Sequence, residues 1–215
     1  PLADECFREA KRSPADVDLV AGTTLPGLVN CLVVGLAWAR AFALAREIPF
    51  VSVDHLEAHI YSCLMPPADV DLPVVALLVS GGHTAIYRYE GPGEIKRLGR
   101  TIDDAAGEAF DKVAILLGLE YPGGPAIQRV AKDGDPKAFA FPRAKPKGRP
   151  LDFSFSGLKT AVLYTTRGRN QKRDAPLLPE IVVKDVAASF QEAVCDVLTK
   201  NAVRAAVDEG VGTLA

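Results

Sequence analysis

Two histidines four positions apart carry the clearest chemical signal in the sequence. His55 and His59 occur in the run DHLEAHIYS, directly after a predicted strand and where a helix would begin. Residues at positions i and i+4 share one helix face, so both imidazoles could bind one metal ion. The order differs from the H-E-x-x-H of zinc peptidases, because Glu57 follows His55 by two positions. A polar helix start with hydrogen-bonded histidines fits the same residues, and a metal would need a third ligand.

A glycine turn follows the apolar strand predicted over residues 74–79. Its sequence is Ser80-Gly81-Gly82-His83, with Thr84 next. Glycines at this place would allow backbone N–H groups to approach a phosphate or an acyl-adenylate closely. An ordinary hairpin turn leading into a strand over 83–89 has the same composition. The pattern therefore leaves an anion site and a plain turn both open.

Charged residues are spaced along one face of a helix predicted over residues 103–117, with Asp103 as its N-cap. Three carboxylates and one lysine on that face could bind a metal-bound nucleotide or ribose hydroxyls, and a solvated charged face is the alternative. A rigid glycine turn over 121–125 follows and has the same two explanations. The four charged residues are Asp104, Glu108, Asp111 and Lys112.

A basic stretch lies between Arg129 and Arg149, where seven Lys or Arg residues face two acidic ones. Phe139 and Phe141 are interleaved with the cations, so the pattern predicts phosphate contact with some base stacking. A solubilising loop is the alternative. Further cations without an intervening acid extend the stretch at Lys159, Arg167, Arg169, Lys172 and Arg173.

Apolar segments with strand and helix periodicity alternate along the chain and predict an α/β fold with a substantially parallel sheet. Prolines near residue 70 predict a boundary between residues 1–70, which carry the histidine pair, and residues 71–215, which carry the other motifs. The predicted strands cover 17–21, 49–53, 74–79, 83–89 and 211–215. The predicted helices cover 4–12, 28–46, 56–64, 103–117, 156–164 and 184–209.

Composition excludes several classes of protein. The 215 residues are 48% hydrophobic and 24% charged, which excludes disorder, collagen and coiled coil. A net charge of -2 leaves nucleic-acid contact to a local patch. Four scattered cysteines predict free, buried thiols in a reducing compartment. The apolar run over 28–39 is shorter than the roughly 20 residues that a bilayer needs, and no signal peptide is evident. We therefore expect a soluble cytoplasmic protein without membrane association.

Five segments, in this order, resemble the TsaD family, once described as O-sialoglycoprotein endopeptidases. The resemblance implies an actin-like and Hsp70-like ATPase fold of two lobes, the ASKHA or ribonuclease H-like class. It also implies transfer of a threonylcarbamoyl group from threonylcarbamoyl-AMP to the N6 amine of the adenosine beside the anticodon, in tRNAs that read ANN codons. The segments are DHLEAHIYS at 54–62, LLVSGGHTAIY at 77–87, TIDDAAGEAFDKVAILLGLEYPGGPAI at 101–127, DFSFSGLKTAV at 152–162 and ASFQEAVCDVL at 188–198.

The resemblance also assigns roles to residues. His55 and His59 would bind one Fe²⁺ or Zn²⁺ per subunit, and no protein nucleophile would be required. The implied partners are threonylcarbamoyl-AMP or another ATP- or AMP-like nucleotide, tRNA, and TsaB-like and TsaE-like subunits. Gln128 stands where the family commonly has an acidic substrate contact. The residues implied to contact substrate are Leu78, Val79, Ser80, Gly81, Gly82, His83, Asp111, Gly124 and Gln128.

Family sequences have a glycine- and threonine-bearing hairpin that would precede Pro1, and a G-G-V-A-A-N loop and a metal-binding aspartate that would follow Ala215. We therefore expect a chain incomplete at both ends, in which the third metal ligand is absent. Such a chain would bind metal weakly and would transfer no threonylcarbamoyl group alone.

Two other functions are compatible with parts of the pattern. A non-catalytic TsaB-like partner subunit would share the fold, but it would have no use for the histidine pair or for the Ser80–His83 turn. A metallopeptidase would need a general base in H-E-x-x-H geometry, which the sequence lacks.

Overall fold

The computed structural model describes residues 1–66, 70–169, 175–179 and 181–215. The chain divides into two compact units, Pro1–Ala68 and Asp69–Ala215, and each is described by itself. Two members of the predicted basic stretch, Lys172 and Arg173, lie outside the described residues.

The first unit contains a parallel pair of strands. Strand β1 (Val20–Leu25) and strand β2 (Phe50–Asp54) pair in parallel, and helix α2 (Val29–Arg46) makes the crossover that parallel strands require. Helix α1 (Leu2–Ala10) precedes this βαβ unit and helix α3 (His55–Ser62) follows it. Strand β1 begins three residues later than the strand predicted over 17–21 and continues to Leu25.

Helix α2 is strongly apolar and mostly exposed. Its 18 residues bury only Ala39 and Ala43, while Val34 and Leu44 are among its exposed large side chains. By length and mean hydropathy, 1.4 over 18 residues, it could cross a membrane. The prediction that this segment is too short for a bilayer is therefore wrong, because the apolar helix continues past Arg40. A single helix of this kind is weak evidence for a membrane span, since core helices and signal sequences share its composition.

The second unit is built on an antiparallel sheet, in the order β3-β4-β5. These strands are β3 (Val74–Val79), β4 (Thr84–Gly91) and β5 (Glu94–Arg100). The prediction of a substantially parallel sheet is wrong for this unit. Residues 213–215 run parallel to β3, with a bridge between Val75 and Leu214 and three backbone hydrogen bonds of 2.9–3.0 Å to residues 75–77, so the strand predicted over 211–215 forms in part. Strand β5 was not predicted because its sequence, EIKRLGR, lacks apolar alternation. In the structure this strand is mostly exposed.

Four helices complete the second unit and supply its core. They are α4 (Ala106–Leu116), α5 (Gly123–Ala131), α6 (Ser156–Arg167) and α7 (Val183–Glu209). Helix α7 buries Val186, Phe190, Val194 and Val197, a helical spacing that places one apolar face against the other elements. Helix α5 was not predicted, because Gly-Gly-Pro indicates a turn. Pro125 is nevertheless tolerated there, since N–H groups in the first helical turn need no intrahelical partner.

The cysteines are free, but they are not buried as predicted. Cys6, Cys31, Cys63 and Cys195 are all exposed. The first two lie on helices α1 and α2, which bury few side chains, so apolar neighbours in the sequence did not translate into burial.

Candidate active site

The histidine pair lies at the start of helix α3. The carboxylate of Asp54 caps this helix by accepting hydrogen bonds from the N–H groups of Leu56, at 2.8 Å, and Glu57, at 3.0 Å. This cap starts the helix at His55 and therefore places His59 one turn further along the same face. The two Nε2 atoms are 3.2 Å apart, and both side chains are exposed.

The separation of the two imidazoles suits a pair of ligands to one metal ion. Two nitrogens bound tetrahedrally to zinc at about 2.0–2.1 Å lie about 3.3 Å from each other. An N–H···N hydrogen bond would also have this length. Among the described residues, no group of three or more His, Cys, Asp or Glu is placed to hold an ion. His55 and His59 thus fit as two ligands, and the described part of the chain supplies no third.

The Ser80–His83 turn carries two unengaged backbone donors. The turn is closed by a hydrogen bond from the Ser80 N–H to the His83 carbonyl, at 2.8 Å, and by one from the His83 N–H to Ser80 Oγ, at 3.0 Å. Within the described residues no hydrogen bond engages the N–H of Gly81 or Gly82, and both glycines are exposed. A Cβ on either would meet nothing within 4 Å. Such a turn offers N–H donors that have no partner among the described residues, and turns of this kind bind anions.

Helix α4 holds this turn in place. The buried hydroxyl of Thr84 accepts a hydrogen bond from the Ala106 N–H at 2.8 Å, and the Ser80 carbonyl accepts one from the Gly107 N–H at 3.2 Å. The backbones touch, since a Cβ on Gly107 would lie 2.7 Å from the Gly81 Cα. The glycine turn therefore lies against the helix N-terminus, where the helix dipole favours a negative charge.

The second glycine turn packs on the same helix four residues further along. Asp111 Oδ1 accepts a hydrogen bond from the Gly123 N–H at 2.7 Å, and a Cβ on Gly123 would lie 2.5 Å from the Asp111 Cα. Residues 107 and 111 share a helix face about 6 Å apart along the axis. Helix α4 thus brings the Ser80–His83 turn and the Asp111–Gly124 region together, a proximity that the sequence pattern did not reveal.

The remaining predicted contacts in the second unit lie around these two turns. Leu78 and Val79 end strand β3 immediately before Ser80. Gly124 is partly exposed in the first turn of α5, and Gln128 is exposed one helical turn later. These positions are compatible with contact to a ligand at the turns, and their role in binding stays a prediction.

The predicted start of the charged helix is wrong. Helix α4 begins at Ala106, so Asp103 is not its N-cap. Asp103 instead accepts hydrogen bonds from the start of α6: from the hydroxyls of Ser154 and Ser156, at 2.5 and 2.7 Å, and from the N–H groups of Phe155 and Ser156, at 2.8 and 3.3 Å. Partial burial alone would raise the pKa of Asp103, but these hydrogen bonds outweigh it and hold the pKa below its ordinary value.

The other charges of that predicted face form ion pairs with one another. Asp104 precedes the helix and accepts from the ammonium groups of Lys112 and Lys159, each at 2.6 Å, while Glu108 pairs with Lys112 at 2.7 Å. Burial would raise the pKa of Asp104, but the two lysines lower it. Hydrogen bonds from Lys112 to Asp104 and Glu108 raise the pKa of that lysine. These charges are therefore satisfied by ion pairs rather than by solvent alone, and Asp111 is not part of the network.

The expected base-stacking aromatics of the basic stretch are not available to a nucleic acid. Phe141 is 5% exposed, and Phe139 is partly buried and stacks on it with ring centroids 5.9 Å apart. Both rings pack against the core of the second unit. The prediction of base stacking is thus wrong, and any nucleic-acid contact by this stretch is left to its cations.

The profile of one protein family, described as TsaD: tRNA N6-adenosine threonylcarbamoyltransferase, matches residues 1–215. The chain belongs to the TsaD family. Proteins named tRNA N6-adenosine threonylcarbamoyltransferase are similar to it in Protochlamydia amoebophila (45% identity over 215 residues), Syntrophotalea carbinolica (50% over 210) and Bordetella petrii (50% over 214). These alignments cover 98–100% of this chain but only 60–63% of those proteins, so the chain spans about three fifths of their length.

One solved structure, titled YeaZ from Pseudomonas aeruginosa, is similar at a TM-score of 0.35 with 18% identity. The match covers 45% of this TsaD-family chain and 47% of that one. A score of this size is too low to assign a shared fold, and the mixed α/β character of the chain rests on its own helices and strands.

Proposed function

We propose that this chain takes part in threonylcarbamoyl transfer to tRNA by holding the phosphate of an adenylate at the Ser80–His83 turn. The observation that carries this proposal is that, within the described residues, no hydrogen bond engages the N–H groups of Gly81 and Gly82, in a turn whose Ser80 and Gly81 backbone packs against the N-terminus of helix α4. Backbone donors at such a place bind phosphate without a charged side chain. Membership of the TsaD family supplies the identity of the reaction.

In the proposed reaction the donor is threonylcarbamoyl-AMP, a mixed anhydride of a carbamic acid and a phosphate. The N6 amine of the target adenosine attacks the carbamoyl carbon, so that an N–C bond forms. The bond from that carbon to the phosphate oxygen breaks, AMP leaves with the electron pair, and the amine proton passes to solvent. The Gly81 and Gly82 N–H groups would stabilise the charge that develops on the leaving phosphate.

Asp111 is proposed to orient the nucleotide. Its Oδ1 is used by the Gly123 N–H, while its second carboxylate oxygen can accept a hydrogen bond from a ribose hydroxyl. Gly124, next in the same turn, leaves room for the sugar because a Cβ there would meet nothing within 4 Å. Leu78, Val79, His83 and Gln128 would line the rest of this site.

His55 and His59 are proposed as two ligands of an iron or zinc ion, because their Nε2 atoms lie at the separation of neighbouring ligands. Such an ion would supply Lewis-acid polarisation of a carbamoyl or phosphate oxygen. As neutral imidazoles, the histidines leave the positive charge of the ion available to an anionic substrate. The proposal extends to an ASKHA-type fold of two lobes, TsaB-like and TsaE-like partner subunits and a cytoplasmic location.

A chimaeric enzyme tests this function. Residues 1–215 would replace the matching 215 residues of the Protochlamydia amoebophila relative, and the assay is incorporation of labelled threonine into unmodified tRNA. We expect the chimaera to transfer threonine, and we expect Asp111→Ala in it to lower the rate roughly a hundredfold, as loss of one well-placed polar contact does. A matched exposed substitution, Asp208→Ala, should leave the rate unchanged. A folded chimaera without transfer, or an Asp111→Ala chimaera of full activity, would contradict the proposal.

A further inference from the structure

A basic groove lies on the second unit beside helix α7. Its volume is about 420 Å³, and Arg143, Lys145, Lys200 and Asn201 are among its lining residues. One carboxylate, Asp196, belongs to the same lining. Three cations therefore surround a single acid in a concave surface of a protein whose net charge is only -2. The charge of this groove is a local feature rather than a consequence of overall composition.

The floor of the groove is held rigidly. Arg143 donates to the Phe141 carbonyl at 2.7 Å and lies 3.4 Å from the Asp196 carboxylate, which also pairs with Lys200 at 2.8 Å. Asn201 donates to the Asp152 carbonyl at 3.2 Å. Phe141 is buried, so the segment that follows it is anchored in the core. A preformed surface loses less entropy when it binds a partner.

Two cations on this segment, Lys145 of the groove and Lys147 beside it, are unengaged. Within the described residues, no hydrogen bond or ion pair engages the ammonium group of Lys145 or Lys147, and both side chains are exposed. Arg149 pairs with Asp152 at 3.6 Å and is also exposed. The four basic residues from Arg143 to Arg149 alternate with Ala, Pro and Gly, so cations recur at every second position. The segment is not extended over its whole length, because the Arg149 N–H donates to the Pro146 carbonyl at 3.3 Å and Gly148 has a φ of 70°. The four cations are therefore concentrated on a short segment that ends in a turn, which raises the local density of positive charge.

From these contacts we infer that the groove formed by Arg143, Lys145 and Lys200, together with Lys147 beside it, binds the phosphate backbone of an RNA strand. A polyanion matches the surplus of positive charge on this segment. A lipid surface matches less well, because interfacial binding needs exposed apolar anchors and Phe139 and Phe141 are packed on the core. Since no aromatic ring is offered to the bases, recognition here is electrostatic and independent of sequence.

This inference rests on the proposed function for the choice of RNA as the polyanion. The Ser80–His83 turn would hold the donor, and the groove would hold the backbone of the acceptor. The two surfaces use different residues, so substitutions in one leave the contacts of the other unchanged.

The test is the salt dependence of tRNA binding to the 215-residue chain, measured by fluorescence anisotropy with a labelled unmodified tRNA from about 50 to 200 mM salt. The Lys145→Gln/Lys147→Gln variant removes two charges and keeps a polar side chain at both positions. We expect it to weaken binding roughly tenfold or more at the middle of this range, and to reduce the slope of log K against log salt by about 1.4–1.8. The control, Lys11→Gln/Arg12→Gln, removes two exposed charges from the first unit and should leave both quantities unchanged.

Three outcomes would overturn the inference. One is wild-type affinity and slope in the Lys145→Gln/Lys147→Gln variant, and another is an equal loss in the Lys11→Gln/Arg12→Gln control. The third is that the two lysine substitutions weaken binding of heparin or of an acidic protein but do not weaken binding of tRNA. Binding of AMP to the same variants separates the two proposals: the groove variant should bind AMP as the wild type does. If the wild type bound tRNA but not AMP, the adenylate site would be refuted and the inference about the groove would remain supported.

Discussion

Replacing Gly107 by alanine is expected to weaken nucleotide binding at least tenfold and to lower the free energy of unfolding by about 1–3 kcal/mol. The added Cβ would lie 2.7 Å from both the Gly81 Cα and the Ser80 carbonyl oxygen. Both obstacles are backbone atoms, so the turn or the helix has to move. Displacement of the turn would separate its N–H groups from the N-terminus of helix α4, and the anion site would be lost. Calorimetric titration with AMP and urea unfolding measure the two effects.

Gly157→Ala is the matched control for this substitution. Gly157 also lies in the first turn of a helix, α6, but a Cβ there would meet nothing within 4 Å. We expect unchanged AMP binding and a stability equal to or up to about 1 kcal/mol above that of the wild type, since alanine restricts the unfolded chain. If Gly107→Ala and Gly157→Ala bound AMP equally well, the contact between helix α4 and the glycine turn would have no role in binding.

Replacing Asp103 by asparagine is expected to lower the free energy of unfolding by about 1–3 kcal/mol at neutral pH. Asp103 accepts four hydrogen bonds at the start of helix α6, and a neutral amide has one oxygen where the carboxylate has two. The measurement is urea unfolding followed by circular dichroism. Asp208→Asn, which removes only an exposed pair with Arg204, should change stability by no more than about 0.5 kcal/mol.

The effect of Asp103 should also depend on pH. Its pKa in the folded protein lies below the ordinary value of 3.8, so the folded state favours the charged form. The stabilisation is therefore complete at neutral pH, and it is lost as the pH falls below about 3.8 and through the folded-state pKa. We expect the difference between the wild type and Asp103→Asn to shrink over that interval. A difference that stays constant down to the lowest pH would contradict a charged Asp103 as the cap of α6.

Features that depend on neighbours in the sequence could be predicted from it. The i, i+4 spacing placed His55 and His59 on one face once a helix was assumed, and Asp54 supplies the cap that starts this helix. The two glycines after a buried strand correctly located the turn with unengaged N–H groups. The long helix α7 was also predicted to within one residue of its start, because its apolar repeat extends over many turns.

Features that depend on contacts between distant segments could not be predicted. The cap formed by Asp103 joins residues about fifty positions apart, and the spacing favoured a local cap for the nearer helix instead. The contact between Gly107 and Gly81 likewise exists only after helix α4 packs on the strand ends. Phe139 and Phe141 were predicted to stack on bases because the sequence does not show that both rings pack against the core.

The central claim is that the Gly81 and Gly82 N–H groups bind the phosphate of a nucleotide. The most direct measurement is a titration of the isotope-labelled chain with AMP, followed through its backbone amide resonances. We predict saturable shifts at Gly81 and Gly82, accompanied by shifts at Asp111, Gly123 and Gly124 and absent at exposed positions of α7 such as Asp208. Saturable binding that leaves the Gly81 and Gly82 amides unshifted, or no binding at millimolar AMP, would contradict the account.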